Sequence, residues 1–171
     1  MKHNRYKGFT LIELVMVMVI MAIIGVLVMS PKSFLTQTRE TDAASKIKSD
    51  IRYAQGFALS TQKRTRVAFN TTTESYSVYS ENSPGSTTWT LINNPLTRAN
   101  FTVNLTTDFP GLNISVVNFN GAGNGLVFDS AGRPYSCNST GSGVILLGTS
   151  GTITFGGGTV LTVIPNTGKV E

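Results

Sequence analysis

The sequence predicts an α+β protein in which one long N-terminal helix, apolar in its first half and amphipathic in its second, packs on a β-rich globular head. Three observations predict it. Residues 9–29 form an apolar block carrying a single charge, Glu13. Residues 34–62 then place Ala44, Ile47, Ile51, Ala54 and Ala58 at three- and four-residue steps, the spacing of one helix face. From Arg66 onward the pattern changes to short alternating or apolar runs separated by turn residues, the signature of strands.

The apolar block comes first. Twenty-one residues, Phe9 to Met29, make about 31 Å of helix at 1.5 Å per residue, enough for a hydrocarbon core of roughly 30 Å. Lys2, Arg5 and Lys7 precede it, so the N-terminus is expected to stay cytoplasmic and the remainder to be exported. An ordinary secretory signal has a shorter apolar core and a small-residue cleavage site beyond it. Here the far side reads Ser30-Pro31-Lys32, and the small residue is Gly8, between the basic stretch and the apolar run. Cutting there would remove the charges and keep the helix. Glu13 is the anomaly, because a carboxylate inside a membrane span costs about 2.5–3.5 kcal/mol and usually has a partner. No cation follows within one turn, so the natural partner is the new α-amino group of Phe9 on a neighbouring subunit; the plain alternative is an interfacial carboxylate that reaches water.

Pro31 is expected to kink the helix. Beyond it the amphipathic stripe reads as the head's own core-packing helix, with Lys46, Lys48, Asp50 and Arg52 mostly off the apolar face. In the head, Arg66–Phe69 and Ser75–Tyr79 read as a hairpin joined by residues 70–74. Further strands are expected over Thr88–Ile92, Asn113–Asn118, Gly125–Asp129, Gly143–Leu147, Thr152–Phe155 and Thr159–Ile164, punctuated by Ser-Pro-Gly, Ser-Ala-Gly and triple-glycine turns. The expected organisation is a leader over 1–8, a transmembrane helix over 9–30, its amphipathic continuation over 31–62 and the head over 63–171.

The net charge of +5 raises nucleic-acid binding, but its distribution argues against it. After Val67, Arg98, Arg133 and Lys169 face Glu74, Glu81, Asp108, Asp129 and Glu171. Lys63, Arg64 and Arg66 are the better candidate basic contact patch, with a solvated strand edge or a subunit contact as the plain alternative. Cys137 is the only cysteine and His3 the only histidine. An intrachain disulfide, a Cys/His metal site and Ser/His or Cys/His catalysis in the head are thereby excluded. Cys137 reads as a small, partly buried hydrophobe, with disulfide pairing between subunits as the alternative. No cofactor or metal is expected, no catalytic residue is assigned, and the glycine runs lack a phosphate-loop lysine. Five Asn-x-Ser/Thr triplets, at Asn70, Asn100, Asn104, Asn113 and Asn138, are read as compositional.

Lys7-Gly8-Phe9-Thr10-Leu11-Ile12-Glu13 resembles the prepilin motif of type IV pilins and type II secretion pseudopilins. The resemblance implies that a prepilin peptidase cuts after Gly8 and N-methylates Phe9, and that Glu13 neutralises a neighbour's N-terminal amine during assembly. Pro31 lies one residue later than that family's usual kinking proline. Asp50–Ala58, Arg64–Phe69, Phe128–Arg133 and Val163–Val170 resemble the GspH/FimT minor-pilin subgroup, whereas residues 80–120 show no resemblance. By this resemblance the chain is expected to be a structural subunit of a pilus or pseudopilus, not an enzyme, anchored in the bacterial inner membrane with a periplasmic head. It would prime assembly or sit at the tip. Its expected partners are the peptidase, other pilin or pseudopilin subunits and the inner-membrane assembly platform. A tip adhesin or DNA-uptake module is the alternative. Against DNA, the site matching that subgroup's Gly-Arg-x-Arg element reads Gly132-Arg133-Pro134-Tyr135. Major pseudopilins often hold calcium in an acidic C-terminal loop, but residues 130–170 contain no carboxylate side chain, so no such site is expected.

Overall fold

A computed structural model describes residues 8–28, 31–120 and 123–171, with the side chains of 27–28 and 31–36 outside the description. The basic leader residues 1–7, and the Gly121-Ala122 pair in the expected glycine loop, lie outside it. The chain divides into two compact units, residues 1–35 and 36–171.

In the first unit, helix α1 runs Leu11–Val28, beginning two residues later than the span expected over 9–30. Among the described residues no helix is long and apolar enough to cross a membrane; the 18 residues of α1 give about 27 Å. The kink expected at Pro31 cannot be followed through Met29 and Ser30, which lie outside the described residues. Helix α2 is described over Pro31–Thr61. Helix α2 ends at Gln62, whose φ of 55° is the left-handed turn common just past a helix C-terminus.

Among the described residues, ten strands follow in the second unit. Strands β1 (Thr65–Asn70) and β2 (Ser75–Glu81) form the expected hairpin, in register from Thr65 opposite Ser80 to Asn70 opposite Ser75. Next come β3 (Trp89–Leu91), β4 (Thr102–Asn104), a one-turn helix α3 (Leu105–Asp108), β5 (Ile114–Asn118), β6 (Gly125–Phe128), β7 (Pro134–Cys137), β8 (Ile145–Leu146), β9 (Gly151–Phe155) and β10 (Val160–Val163). A seven-stranded sheet has the order β3-β2-β1-β6-β7-β8 with β4 also on β2, and a three-stranded sheet has the order β10-β9-β5. The sequence reading misses β4, α3 and β7.

Side chains alternate faces along a strand, and here both faces of the larger sheet are used. Val67, Phe69, Tyr76, Val78, Leu126 and Phe128 join the α2 stripe, Ala44, Ile47, Ile51, Ala54 and Ala58, in one buried cluster with Ile153, Phe155, Leu161 and Val163 of the smaller sheet. Arg66, Tyr79 and Val127 are in register on the opposite face.

Buried acids tie these layers together. Glu40, 1% exposed, reaches from α2 to the β9–β10 turn and accepts from the Gly157 N–H at 2.5 Å and the Thr159 N–H at 3.4 Å. Asp50 accepts from the Tyr76 hydroxyl at 2.5 Å and pairs with Lys46. Burial, then the Asp50 charge, pushes the Tyr76 phenol well above its ordinary range. The Gln55 side-chain amide donates to the carbonyls of Gly132 and Thr167 at 2.8 and 2.7 Å.

The loops are held by neutral amides. The side-chain oxygen of Asn70 accepts from the N–H groups of Thr72 and Thr73, that of Asn94 from Leu96, that of Asn104 from Thr106 and Thr107, and that of Asn138 from Thr140 and Ser142. These side chains stand in for backbone partners that turns lack. Three of the five Asn-x-Ser/Thr asparagines thus have a structural role.

Candidate functional site

The residues singled out near the N-terminus lie together at the start of α1. Gly8, Phe9 and Thr10 precede the helix, and all three are exposed. Nothing lies within 4 Å of where a Cβ on Gly8 would stand, so the peptide bond after Gly8 is unobstructed by described atoms. Thr10 caps the helix, which the sequence reading did not single out. Its carbonyl accepts from the N–H groups of Glu13 and Leu14 at 3.1 and 3.2 Å, and its hydroxyl accepts from the Glu13 N–H at 3.3 Å. Thr10-Leu11-Ile12-Glu13 has the Ser/Thr-x-x-Glu spacing of a capping box, which was legible in the sequence.

Glu13 therefore sits in the first turn, where the helix dipole favours a carboxylate. Its side chain is exposed and pairs with no cation among the described residues. The helix it opens has no polar face. Leu11, Ile12 and Val26 are 81, 73 and 70% exposed, and the large apolar residues between them are also exposed. An α-helix apolar all round needs lipid or other apolar helices about it.

The expected basic patch is not brought together as a free surface. Lys63 donates to the Asn82 carbonyl at 3.0 Å. The Arg64 side chain bridges Glu81, through Nε at 2.7 Å, and the Ser86 carbonyl, through Nη2 at 2.7 Å. Arg66 is buried, its guanidinium 4.4 Å from the centre of the Tyr79 ring and 5.1 Å from that of Trp89, with Nη1 donating to the Ser139 carbonyl at 3.0 Å. Burial lowers its pKa, though it remains a strong base. The physical reason for the difference is strand alternation: Arg66 faces the aromatic rings of β2 and β3 rather than solvent. Arg133 is more exposed, and it pairs with Asp129 across the turn at 2.8 Å. Asp129 also accepts from the Ala131 and Arg133 N–H groups. Burial alone would raise the Asp129 carboxyl, but these bonds outweigh it and hold the group below its usual range. The Cys137 thiol is buried, and that burial pushes it up to about 11, with nearby Arg66 pulling the other way.

Two comparisons bear on this arrangement. Residues 3–29 match the model of the prokaryotic N-terminal methylation motif. The structure is similar to the minor pseudopilin EpsH from the Type 2 Secretion System of Vibrio cholerae, at 12% sequence identity and a TM-score of 0.52, over 77% of this chain and 93% of that one. No curated protein sequence matches the chain. The identity is low enough that the second comparison speaks to fold, while the first speaks to the N-terminal motif. The chain thus carries a prokaryotic N-terminal methylation motif over residues 3–29 and has a fold similar to that of a minor pseudopilin.

Proposed function

We propose that this chain is a structural subunit of a pseudopilus or pilus, cut after Gly8, N-methylated on Phe9 and assembled through its apolar helix. Glu13 carries the reading. It is an exposed carboxylate without a described cation partner, in the first turn of a helix apolar on every side, five residues beyond the cleavage glycine. In lipid such a group costs about 2.5–3.5 kcal/mol, and the methylated amine of Phe9 on a neighbouring subunit would relieve it. Apolar contacts change little in character when the helix leaves lipid for a bundle of like helices, so the Glu13–amine pair sets axial register. Before assembly the apolar stretch from Phe9 to Met29 anchors the subunit in the inner membrane, with its head in the periplasm. Its partners are the prepilin peptidase, other pilin-like subunits and the assembly platform. It acts as a building block and not as an enzyme.

A minor, assembly-priming or tip subunit is favoured by the likeness to a minor pseudopilin and by the lack of an intrachain disulfide. The likeness also favours a secretion pseudopilus over a pilus. Intact-mass analysis of the membrane protein, with and without the peptidase, tests the proposal. A chain beginning at N-methyl-Phe9 only where the peptidase is present is the expected result. A Met1 start in both strains would refute it.

A further inference from the structure

The outward face of the β1–β2 hairpin carries a groove of about 350 Å³, at the small end of the range of ligand sites. Its floor is Ala68, Ser75 and Ser77, one row of small side chains fixed by strand register. At one end stands the 70–72 turn, and at the other Tyr79 and Ser139; Asn124 also lines it. No lining side chain carries a formal charge, and no acid or base reaches it from these walls.

The walls are built in advance of any ligand. Arg66, buried behind the groove, stacks on the Tyr79 ring and holds the Ser139 carbonyl, while Asn138 and Asn70 organise the two loops from within. Yet the groups that line it are largely unspent. Among the described residues, the hydroxyls of Thr71, Thr72, Tyr79 and Ser139 and the side-chain amide of Asn124 make no hydrogen bond. Preorganised walls lower the cost of binding, and these unspent hydroxyls and the amide are both donors and acceptors.

We propose that this groove binds a neutral carbohydrate, of mono- to disaccharide size, through these hydroxyls and the Asn124 amide. A neutral ligand follows from the uncharged lining, since the one neighbouring cation, Arg66, is enclosed by Tyr79, Trp89 and Ser139. A peptide fits less well. The backbone of β2 is already paired with β1 on one side and with β3 and β4 on the other, so no ladder is open to a peptide strand. The small floor residues offer no apolar pocket for its side chains. A polyhydroxylated ring needs neither. This assignment does not depend on how the subunit is processed or assembled.

The test is a titration of the isotope-labelled full chain, in micelles of a detergent without a sugar headgroup, followed by amide chemical shifts. The probes are maltose and di-N-acetylchitobiose, with a neutral tripeptide and a short DNA duplex as comparators. The expected result is saturable movement of signals from residues 68–79, 124 and 139 with at least one of the two sugars, at roughly millimolar affinity. Two variants should weaken that binding by about tenfold: Tyr79→Phe, which keeps the ring on Arg66 and loses only the hydroxyl, and Ala68→Leu, which fills the floor. Unchanged signals at these residues with both sugars would overturn the proposal, and so would tighter binding of the tripeptide or the DNA there. So would sugar-induced shifts that survive both variants.

Discussion

Replacing Glu40 tests whether the head is held to its helix by a polar clamp or by apolar packing alone. The carboxylate is 1% exposed and accepts from the Gly157 N–H at 2.5 Å and the Thr159 N–H at 3.4 Å. A hydrogen bond to a charged group contributes about 1.5–3 kcal/mol, and the longer contact adds little. Glu40→Ala also relieves the burial of a charge and gains a few tenths of a kcal/mol of helix propensity. The Gly157 backbone is exposed, so water can replace the lost acceptor. The net expectation is a loss of about 2 kcal/mol, or roughly 4–8 °C in Tm for a domain of this size. Glu40→Gln keeps one acceptor oxygen and should lose about half as much. Urea unfolding of the full chain in micelles, with the midpoint read at constant m, measures it. Gly157→Ala supplies an independent arm, because a Cβ there would lie 2.6–2.8 Å from the Glu40 carboxylate. The double variant should therefore be less destabilised than the sum of its parts, by about 1 kcal/mol. A Glu40→Ala protein within about 0.5 kcal/mol of the parent, or strictly additive variants, would refute the clamp.

The remaining expectations concern other sites. Glu13→Ala should insert into the membrane normally yet fail to enter filaments, as read by fractionation and shearing; normal incorporation would remove Glu13 from assembly. The Cys137 thiol should resist alkylation in the native chain near pH 8 and react after unfolding. Its folded pKa of about 11 lies above the ordinary 9, so the folded state holds the proton longer. Stability should therefore fall as pH rises from 9 to 11, with up to about 2 kcal/mol of the loss due to Cys137; Cys137→Ala should remove that part of the slope and leave the part due to the raised Tyr76 phenol. Gly141→Ala should cost at least about 2 kcal/mol, because φ is 89° and the new Cβ would collide with Trp89 Nε1 and sit 2.6 Å from Arg66 Nη1; thermal unfolding checks it.

The apolar block, the α2 stripe and the β1–β2 hairpin were legible because each repeats a simple period. The losses have particular causes. Strand β7 begins at Pro134, directly after the Gly132 turn, and a proline at the first residue of a strand reads as more turn. Strand β4 and helix α3 share Asn104, whose capping role hides among the asparagines and threonines of the 80–120 region. The partners of Lys63, Arg64 and Arg66 were not legible because counting charges ignores which face a strand residue occupies. Thr65-Arg66-Val67-Ala68-Phe69 alternates, and putting Val67 inward necessarily puts Arg66 on the side of Tyr79 and Trp89. Glu40, Asp50 and Glu81 are buried as well, which charge counting does not reveal, because each accepts a hydrogen bond from a residue 17 to 119 positions away in sequence. At the N-terminus the motif, the lone carboxylate and the helix were all legible, since their geometry is local.

The asparagine-bound loops set the conditions under which the head keeps its shape. An amide oxygen accepts the same backbone N–H in acid, in alkali and in brine, since it neither titrates nor feels counterions. The hydrogen bonds of the four turns centred on Asn70, Asn94, Asn104 and Asn138 therefore neither titrate nor weaken in salt. The turn at Asp129 does the same work with a carboxylate, and its lowered pKa postpones its release to more strongly acidic solution. What threatens such loops is time rather than acidity: slow hydrolysis of an asparagine amide to a carboxylate would put charge where the groove and its neighbouring turns have none.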